Sequence, residues 1–251
     1  MNILVCVKRV PATTARVAIQ DGKRLNPDGV EFLMNPYDEF AVEEGLRRRE
    51  SAGVGKVVAV SFGTSDAQKE LRQALAMGAD EAVLLQHADA AFADAATTAR
   101  VLAAEARARG PFDLLLFGKQ AVDRDQHGVG PMVATLLGIP CITEVVKLEI
   151  SGGRITAERE VEGGREIIEA GLPCAITCQK GLNEPRYANL KGIMAAKKKP
   201  LDTVQVDVSG AVVEILAMSP PPPRPPGRIV GEGAAAVPEL VRLLRSEAKV
   251  L

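Results

Sequence analysis

The chain has 251 residues, of which 31 are Lys or Arg and 32 are Asp or Glu, giving a formal charge of −1 at neutral pH. This balance argues against electrostatic binding to nucleic acid, which normally requires a basic surplus. A hydrophobic fraction of 47% predicts a globular core, and no apolar run approaches the ~18 residues of a membrane span, so we expect no direct membrane insertion. Four dispersed cysteines predict reduced thiols in a cytoplasmic protein.

Over the first 118 residues, short apolar runs alternate with longer amphipathic ones. The runs predict strands at residues 2–7, 56–61, 82–85 and 113–117, and helices at 35–53, 64–78 and 90–109. This alternation predicts an α/β fold with an open, mainly parallel sheet and helices on both faces. Ligands bind such sheets beyond the carboxyl ends of the strands, which here are followed by residues 8–11, 61–65 and 118–131.

The pattern changes after Pro140. Two alternating runs around Glu162-Gly163-Gly164 predict a β-hairpin over residues 154–170, and an apolar strand is expected at 173–178. Six prolines within residues 219–227 predict an extended stretch, followed by a helix at 237–251 that needs a docking surface. We therefore expect an α/β domain over residues 1–218 and a proline-rich linker with a terminal helix over 219–251.

The segment that follows the strand at 113–117 is the first candidate site. Gly128 and Gly130 precede an apolar helix, and this arrangement suits a phosphate, although a long loop with a glycine turn explains it equally well. Asp123 and Asp125 could bind magnesium, but solvated turn residues or acceptors for a ribose are as consistent with the pattern. His127 could contact a ligand in this loop.

No catalytic or metal-binding constellation is found. The chain lacks a P-loop and a Gly-x-Ser-x-Gly elbow, and neither histidine has a partner for acid–base chemistry. Cys174 and Cys178 share one face of a predicted strand, which favours a place in the core over a metal site.

A second candidate site combines apolar residues with lysines. Tyr187, Leu190, Ile193 and Met194 precede Lys197, Lys198 and Lys199. An apolar anchor rimmed by charge is typical of a transient partner site, because burial supplies affinity and charge supplies encounter rate. A solvated charged chain end is the alternative.

Several ordered motifs resemble one family, the β subunits of electron transfer flavoproteins, over nearly the whole chain. The matching residues are 5–10, 34–37, 41–44, 74–80, 118–121, 159–164, 173–177 and 182–188. The resemblance implies an adenine-nucleotide α-hydrolase-like fold and a heterodimer with an α subunit that carries most of the FAD site. It also implies an electron carrier and not an enzyme. Electrons would come from flavin dehydrogenases of the acyl-CoA dehydrogenase type, in fatty acid oxidation, and go to a membrane quinone oxidoreductase.

The resemblance also implies two sets of site residues. A structural AMP would be bound by Cys6, Asn35, Pro36, Tyr37, Asp38, Phe62, Asp123, Arg124, Asp125, Gln126, His127, Gly128, Val129, Gly130, Pro131, Met132, Val133 and Ala134. Tyr37 would lie near the flavin ring. Leu190 would enter a pocket on the partner dehydrogenase, within a recognition loop over residues 183–199.

Two alternatives remain open on the sequence. One branch of the family binds a second FAD in place of AMP and bifurcates electrons. Val129-Gly130-Pro131 resembles that branch, but the bulky Arg124 and Gln126 favour AMP. A universal-stress-type adenine-nucleotide-binding regulatory protein would share the sheet. It would have little use for the hairpin, the Leu190 segment or a terminal helix, which we expect to wrap the α subunit.

Overall fold

The computed structural model describes residues 1–223 and 226–251; Arg224 and Pro225, in the predicted proline-rich stretch, lie outside the described residues. The chain forms two compact units, Met1–Ala217 and Met218–Leu251. In its described residues, the second unit carries one α-helix, Val237–Ser246, which ends five residues before the predicted end of the terminal helix. The first unit, described throughout, carries the sheet.

Thirteen strands form in the first unit, in chain order β1 (Ile3–Cys6), β2 (Arg9–Pro11), β3 (Ala18–Gln20), β4 (Arg24–Asn26), β5 (Phe32–Met34), β6 (Val57–Gly63), β7 (Glu81–Gln86), β8 (Leu114–Gly118), β9 (Cys141–Ser151), β10 (Arg154–Val161), β11 (Gly164–Gly171), β12 (Cys174–Cys178) and β13 (Leu201–Gln205). Its α-helices are α1 (Pro36–Ala52), α2 (Gln68–Met77), α3 (Ala95–Arg109), α4 (Val129–Leu137) and α5 (Leu190–Ala196). The helix of the second unit is α6.

Nine strands form one sheet in the order β11-β10-β9-β12-β8-β1-β6-β7-β13. The seven strands from β9 to β13 in this order are parallel, with Val5 opposite Ala59 on one side and Leu116 on the other. β10 and β11 add the predicted hairpin in antiparallel pairing. The predicted open, mainly parallel α/β sheet is confirmed. β2 with β5 and β3 with β4 form two small antiparallel ribbons.

Helices cover both faces of the sheet, and the alternation of side chains along β1 shows why its residues are all apolar. Ile3 and Val5 pack in the layer that contains α1 and α2, whereas Leu4 and Cys6 pack in the layer that contains α3 and α4. Gly45 in α1 lets the helix approach the sheet closely, because a Cβ there would lie 2.9 Å from Val5 Cγ2. Each face of the sheet thus buries its own aliphatic core.

The structure differs from the sequence prediction at several elements. The helix expected from residue 90 is broken into a short 3₁₀ turn, Ala90–Phe92, and α3, which begins after the N-cap Asp94. The sequence does not predict β9 or β13, because β9 carries charged residues among its apolar ones and β13 has only two partly buried residues. The recognition loop contains a helix, α5, whose N-cap is Asn189.

Candidate functional site

The order of the strands creates a crevice at one point of the sheet. From β1 the chain passes to β6 and β7 on one side, and then returns to β8 on the other side of β1. Ligands bind open α/β sheets at such a switch point, outside the carboxyl ends of the strands. Lys8 follows β1 and Gly118 ends β8, so these two positions mark the floor of the crevice.

A buried carboxylate joins the two strand ends to α1. Asp38, only 5% exposed, accepts hydrogen bonds from Lys8 N (2.7 Å), Asn35 Nδ2 (2.9 Å) and Gly118 N (3.2 Å). Burial raises the pKa of Asp38 to about 7, while these donors act in the opposite direction. A Cβ at Gly118 would lie 2.3 Å from Asp38 Oδ1, so only glycine fits at this strand end. The carboxylate therefore sets the spacing between the two edges of the crevice.

Asn35 has a different role from the one its N-cap position suggests. Its side chain makes no cap bond to α1. Instead, Oδ1 accepts from Val122 N (3.1 Å) and Nδ2 donates to Gln120 O (2.8 Å), so Asn35 holds the loop that follows β8. Pro36 occupies the first helical position, where its missing N–H costs no hydrogen bond.

Asp123 is paired within the chain. Lys8 Nζ lies 2.8 Å from Oδ1 and 2.7 Å from Oδ2 of this carboxylate, across the crevice. From the sequence, Asp123 is expected to bind a metal or a ribose or to be a solvated turn residue, and its pairing with Lys8 is not predicted. Its only sequence signal is that Lys8 and Asp123 both follow strand ends of a parallel sheet.

The residues after Asp123 form the wall of the crevice. Arg124 donates to the carbonyl groups of Ala93 (3.1 Å) and Ala91, so its guanidinium lies against the turn that precedes α3. Asp125 has φ +49° and accepts from Gln120 Nε2. Gln126 and His127 are exposed, and His127 Nδ1 lies 3.7 Å from Glu144 Oε1.

Gly128 is the N-cap residue before α4 and leaves the helix N-terminus without a side-chain cap. A Cβ on Gly128 would meet only the end of Met132, whereas a Cβ on Gly130 would lie 2.8 Å from Thr177 Cγ2. Gly130 therefore lets α4 pack against the sheet, and Gly128 leaves the backbone accessible. Of the other predicted contacts in α4, Val129 and Pro131 are half-buried, Met132 is exposed, and Val133 and Ala134 lie in the core.

The remaining predicted crevice residues lie on neighbouring strands. Cys6, at the end of β1, is 8% exposed, and burial raises the pKa of its thiol well above the usual range. Phe62 lies near the end of β6 and is half-buried. The Nζ atom of Lys119 lies 5.2 Å from the centroid of the Tyr37 ring, within cation–π distance. The structure thus brings together residues from all the predicted segments of this site at one edge of the sheet.

The second predicted site is an apolar surface on and before α5. Tyr187 is 97% exposed and Leu190 76% exposed, with Met194 at 57% and Ile193 at 45%. Lys197 and Lys198 are exposed beside them. Lys199 has an internal role: its Nζ donates to Leu75 O (3.0 Å) and Ala79 O (2.6 Å) at the end of α2, and burial lowers its pKa.

Within residues 1–223 and 226–251, His, Cys, Asp and Glu side chains form no group of three or more that could bind a metal. Over the same ranges, no helix combines the length and the apolar character required to cross a bilayer. Cys174 and Cys178 are free thiols in the core layer of α1 and α2.

Known proteins are similar to this chain over its full length. The electron transfer flavoprotein domain matches residues 24–209. The "Electron transfer flavoprotein subunit beta" of Bacillus subtilis (strain 168) is 44% identical, with both chains fully covered. The subunit of that name from Syntrophomonas wolfei is 37% identical, covering 100% of this chain and 98% of the relative. The mitochondrial subunit beta of Oryza sativa subsp. japonica is 40% identical over both full chains. The chain therefore belongs to the electron transfer flavoprotein family as a β subunit, an electron carrier and not an enzyme.

Proposed function

We propose that this chain pairs with an α subunit in a heterodimer that holds FAD and carries electrons from acyl-CoA dehydrogenases to a membrane quinone oxidoreductase. Relatives named as β subunits over their full length support this role over a universal-stress-type regulator. The four cysteines are free thiols, which is consistent with a location in the cytoplasm. The exposed apolar surface of α5 is the observation that carries the proposal.

This surface has the composition of a transient docking site. Leu190 and Tyr187 expose most of their side chains to water, although burial of such groups is normally favourable. Exposed lysines at positions 191, 197 and 198 surround them. The apolar centre supplies affinity and the basic rim attracts an acidic partner surface, which suits a carrier that must bind and release its electron donor quickly.

We propose that AMP occupies the crevice in a structural role. The uncapped N-terminus of α4 offers free backbone N–H groups and partial positive charge to a phosphate, and Gly128 lets it come close. Bonds from Arg124 to the carbonyls of Ala91 and Ala93 keep this bulky side chain at the wall. This position supports AMP over a second FAD, since an isoalloxazine ring needs more room than an adenylate.

A bound FAD would supply the redox chemistry of the carrier. The residues of this chain that would complete the FAD site are Tyr37 and Lys119, which lie within cation–π distance of each other at the edge of the crevice. The aromatic ring offers a flat apolar surface and the ammonium group offers positive charge. Asp38 and Gly118 hold the backbone beneath both residues, so the position of this pair follows from the buried carboxylate.

The docking proposal is tested with Leu190→Ala in the αβ complex. Removing three carbons from a buried anchor weakens binding by about 2 kcal/mol, or roughly thirtyfold in kcat/KM for reduction by the dehydrogenase. Ile167→Ala is the matched control, because Ile167 is 69% exposed on the hairpin. FAD content stays unchanged in both variants. Equal rates for the Leu190 variant and the wild type would remove Leu190 from the docking site.

The nucleotide proposal is tested by mass spectrometry of the small molecules released when the purified complex is denatured. AMP and FAD in equal amounts support a structural adenylate. Two FAD per heterodimer would instead place this chain in the electron-bifurcating branch. A complex that releases no adenine compound beyond one FAD would contradict nucleotide binding in the crevice.

A further inference from the structure

The chain between β12 and α5 has no helix or strand of its own, yet side chains hold it firmly against α1. Asn183 Nδ2 donates to Phe40 O (3.0 Å) and to Glu44 Oε2 (2.9 Å). Three residues later, Arg186 binds two further carboxylates of α1, those of Glu43 and Glu50. These contacts join residues more than 130 positions apart in the chain.

Arg186 makes five hydrogen bonds in this region. Its backbone N (3.2 Å) and Nε (2.8 Å) donate to Glu43 Oε2, and Nη2 donates to Glu43 Oε1 (3.0 Å). Nη1 and Nη2 also donate to the two carboxylate oxygens of Glu50, at 2.7 and 3.0 Å. A planar guanidinium can bridge two carboxylates in this way, whereas the single ammonium of lysine cannot. The Glu43 side chain is only 6% exposed, so the contact is largely sheltered from water.

The helix α5 itself is held against α2. A Cβ on Gly192 would lie 2.4 Å from Ala76 O, so α5 rests directly on the backbone of α2. Arg72 Nη1 donates to Ala196 O (2.6 Å) and to Lys199 O (2.9 Å). The exposed apolar surface therefore lies on a short helix that is held on α1 before it begins and on α2 along its length.

We propose that Arg186 is a positioning residue for partner docking: its double fork on Glu43 and Glu50 holds Tyr187 and Leu190 in the geometry that the electron donor binds. This inference rests on the proposed function. Tyr187 follows Arg186 directly, and Leu190 is only four residues from it, so their placement depends on where Arg186 is fixed. A preordered surface binds without the entropic cost of ordering a loop.

The proposal predicts a specific kinetic effect. When the docking geometry is only partly populated, the apparent dissociation constant rises by the inverse of the populated fraction. Arg186→Ala in the αβ complex should therefore raise the apparent KM of the dehydrogenase for this carrier about tenfold and change kcat less than twofold. Reduction by dithionite needs no docking, so its rate and the FAD content should not change.

Three variants make the test discriminating. Arg186→Lys keeps the charge but not the double fork, and should give an intermediate KM. Glu50→Gln weakens the contact of Arg186 with Glu50 and should raise KM modestly. It leaves no buried charge without a partner, because Glu50 is 47% exposed. Arg154→Ala is the control: Arg154 pairs with Glu169 on the hairpin, and its loss should leave KM unchanged.

Hydrogen exchange supplies a second readout. Amides of residues 183–196 should exchange faster in Arg186→Ala, while those of β1, β6 and β8 keep their rates. An unchanged KM in Arg186→Ala would overturn the inference, as would exchange that speeds up across the sheet together with loss of FAD. If Arg186→Ala does not assemble with the α subunit, Glu50→Gln decides: a raised KM supports the inference and an unchanged KM overturns it. A wild-type complex that no dehydrogenase reduces would contradict the proposed function, a result that appears before any variant is made.

Discussion

Asp94 connects the start of α3 to a chain segment more than 115 residues away. Its Oδ1 caps α3 by accepting from Thr97 N (2.6 Å), and its Oδ2 accepts from Val212 N (2.7 Å) and Val213 N (3.0 Å). These bonds to the charged form lower the pKa of Asp94 to about 2 from its ordinary value of 3.8. At ~1.4 kcal/mol per pKa unit, the ionised carboxylate stabilises the folded state by about 2 kcal/mol.

The sign of the pH dependence follows from the direction of the shift. Because the folded-state pKa is the lower one, the unfolded chain binds the proton more readily. The stabilisation is therefore complete above about pH 5 and is lost as the pH falls towards 2, with about half lost by pH 3. Asp94→Asn keeps the cap oxygen but turns an amide towards Val212 and Val213, so it should cost about 2 kcal/mol at pH 7. Asp94→Ala also loses the cap, which adds about 1 kcal/mol.

Urea unfolding of the αβ complex at pH 7, 5 and 3 measures these differences. The stability gap between the wild type and Asp94→Asn should be equal at pH 7 and 5 and clearly smaller at pH 3. A gap below about 0.5 kcal/mol at pH 7, or one that does not narrow at pH 3, would show that the Asp94 carboxylate does not stabilise the folded state in this way. Hydrogen exchange should also be faster at the amides of Val212 and Val213 in Asp94→Asn.

Two further predictions concern the helix platform and the thiols. Gly192→Ala places a Cβ 2.4 Å from Ala76 O, so α5 must move and reduction by the dehydrogenase should slow severalfold. Gly171→Ala is the control, because a Cβ there meets open space and the variant should react like the wild type. If the Gly192 variant is reduced as fast as the Gly171 variant, α5 does not depend on this close approach to α2. Burial raises the pKa of Cys141 to about 11 and that of Cys174 to about 12. A thiol reagent at pH 8 should therefore modify the cysteines of the native complex only slowly. Rapid labelling of the native complex would contradict this burial.

The sequence predicts the architecture well because the signal is local. Uninterrupted apolar runs such as Ile3–Cys6 need helices on both faces of a sheet, and the glycine turn at residues 162–164 joins two alternating strands. The crevice follows from the same argument, since the carboxyl ends of parallel strands lie at one edge. The sequence does not predict β13, because Leu201 and Val204 are its only half-buried residues and the segment resembles a loop. It forms a strand by pairing with β7.

The networks that position the two sites have no local signal. Lys8 and Asp123 are 115 residues apart, and Arg186 and Glu43 are 143 apart, so each pair is created by tertiary folding. Asn35 illustrates the difference: its place before Pro36 predicts a helix cap, but the loop after β8 offers its side chain better-placed partners. The sequence likewise does not show which apolar side chains are exposed, because those of α5 are of the same types as core residues.

We propose above all that this chain forms an electron-carrying complex with an α subunit. The most direct test is co-expression with an electron transfer flavoprotein α subunit, purification of the complex, and anaerobic mixing with an acyl-CoA dehydrogenase and its substrate. We expect a yellow heterodimer whose flavin absorbance is bleached at a rate proportional to the dehydrogenase concentration. A chain that elutes alone, or a flavin-loaded heterodimer that keeps its full absorbance while dithionite still bleaches it, would contradict the claim.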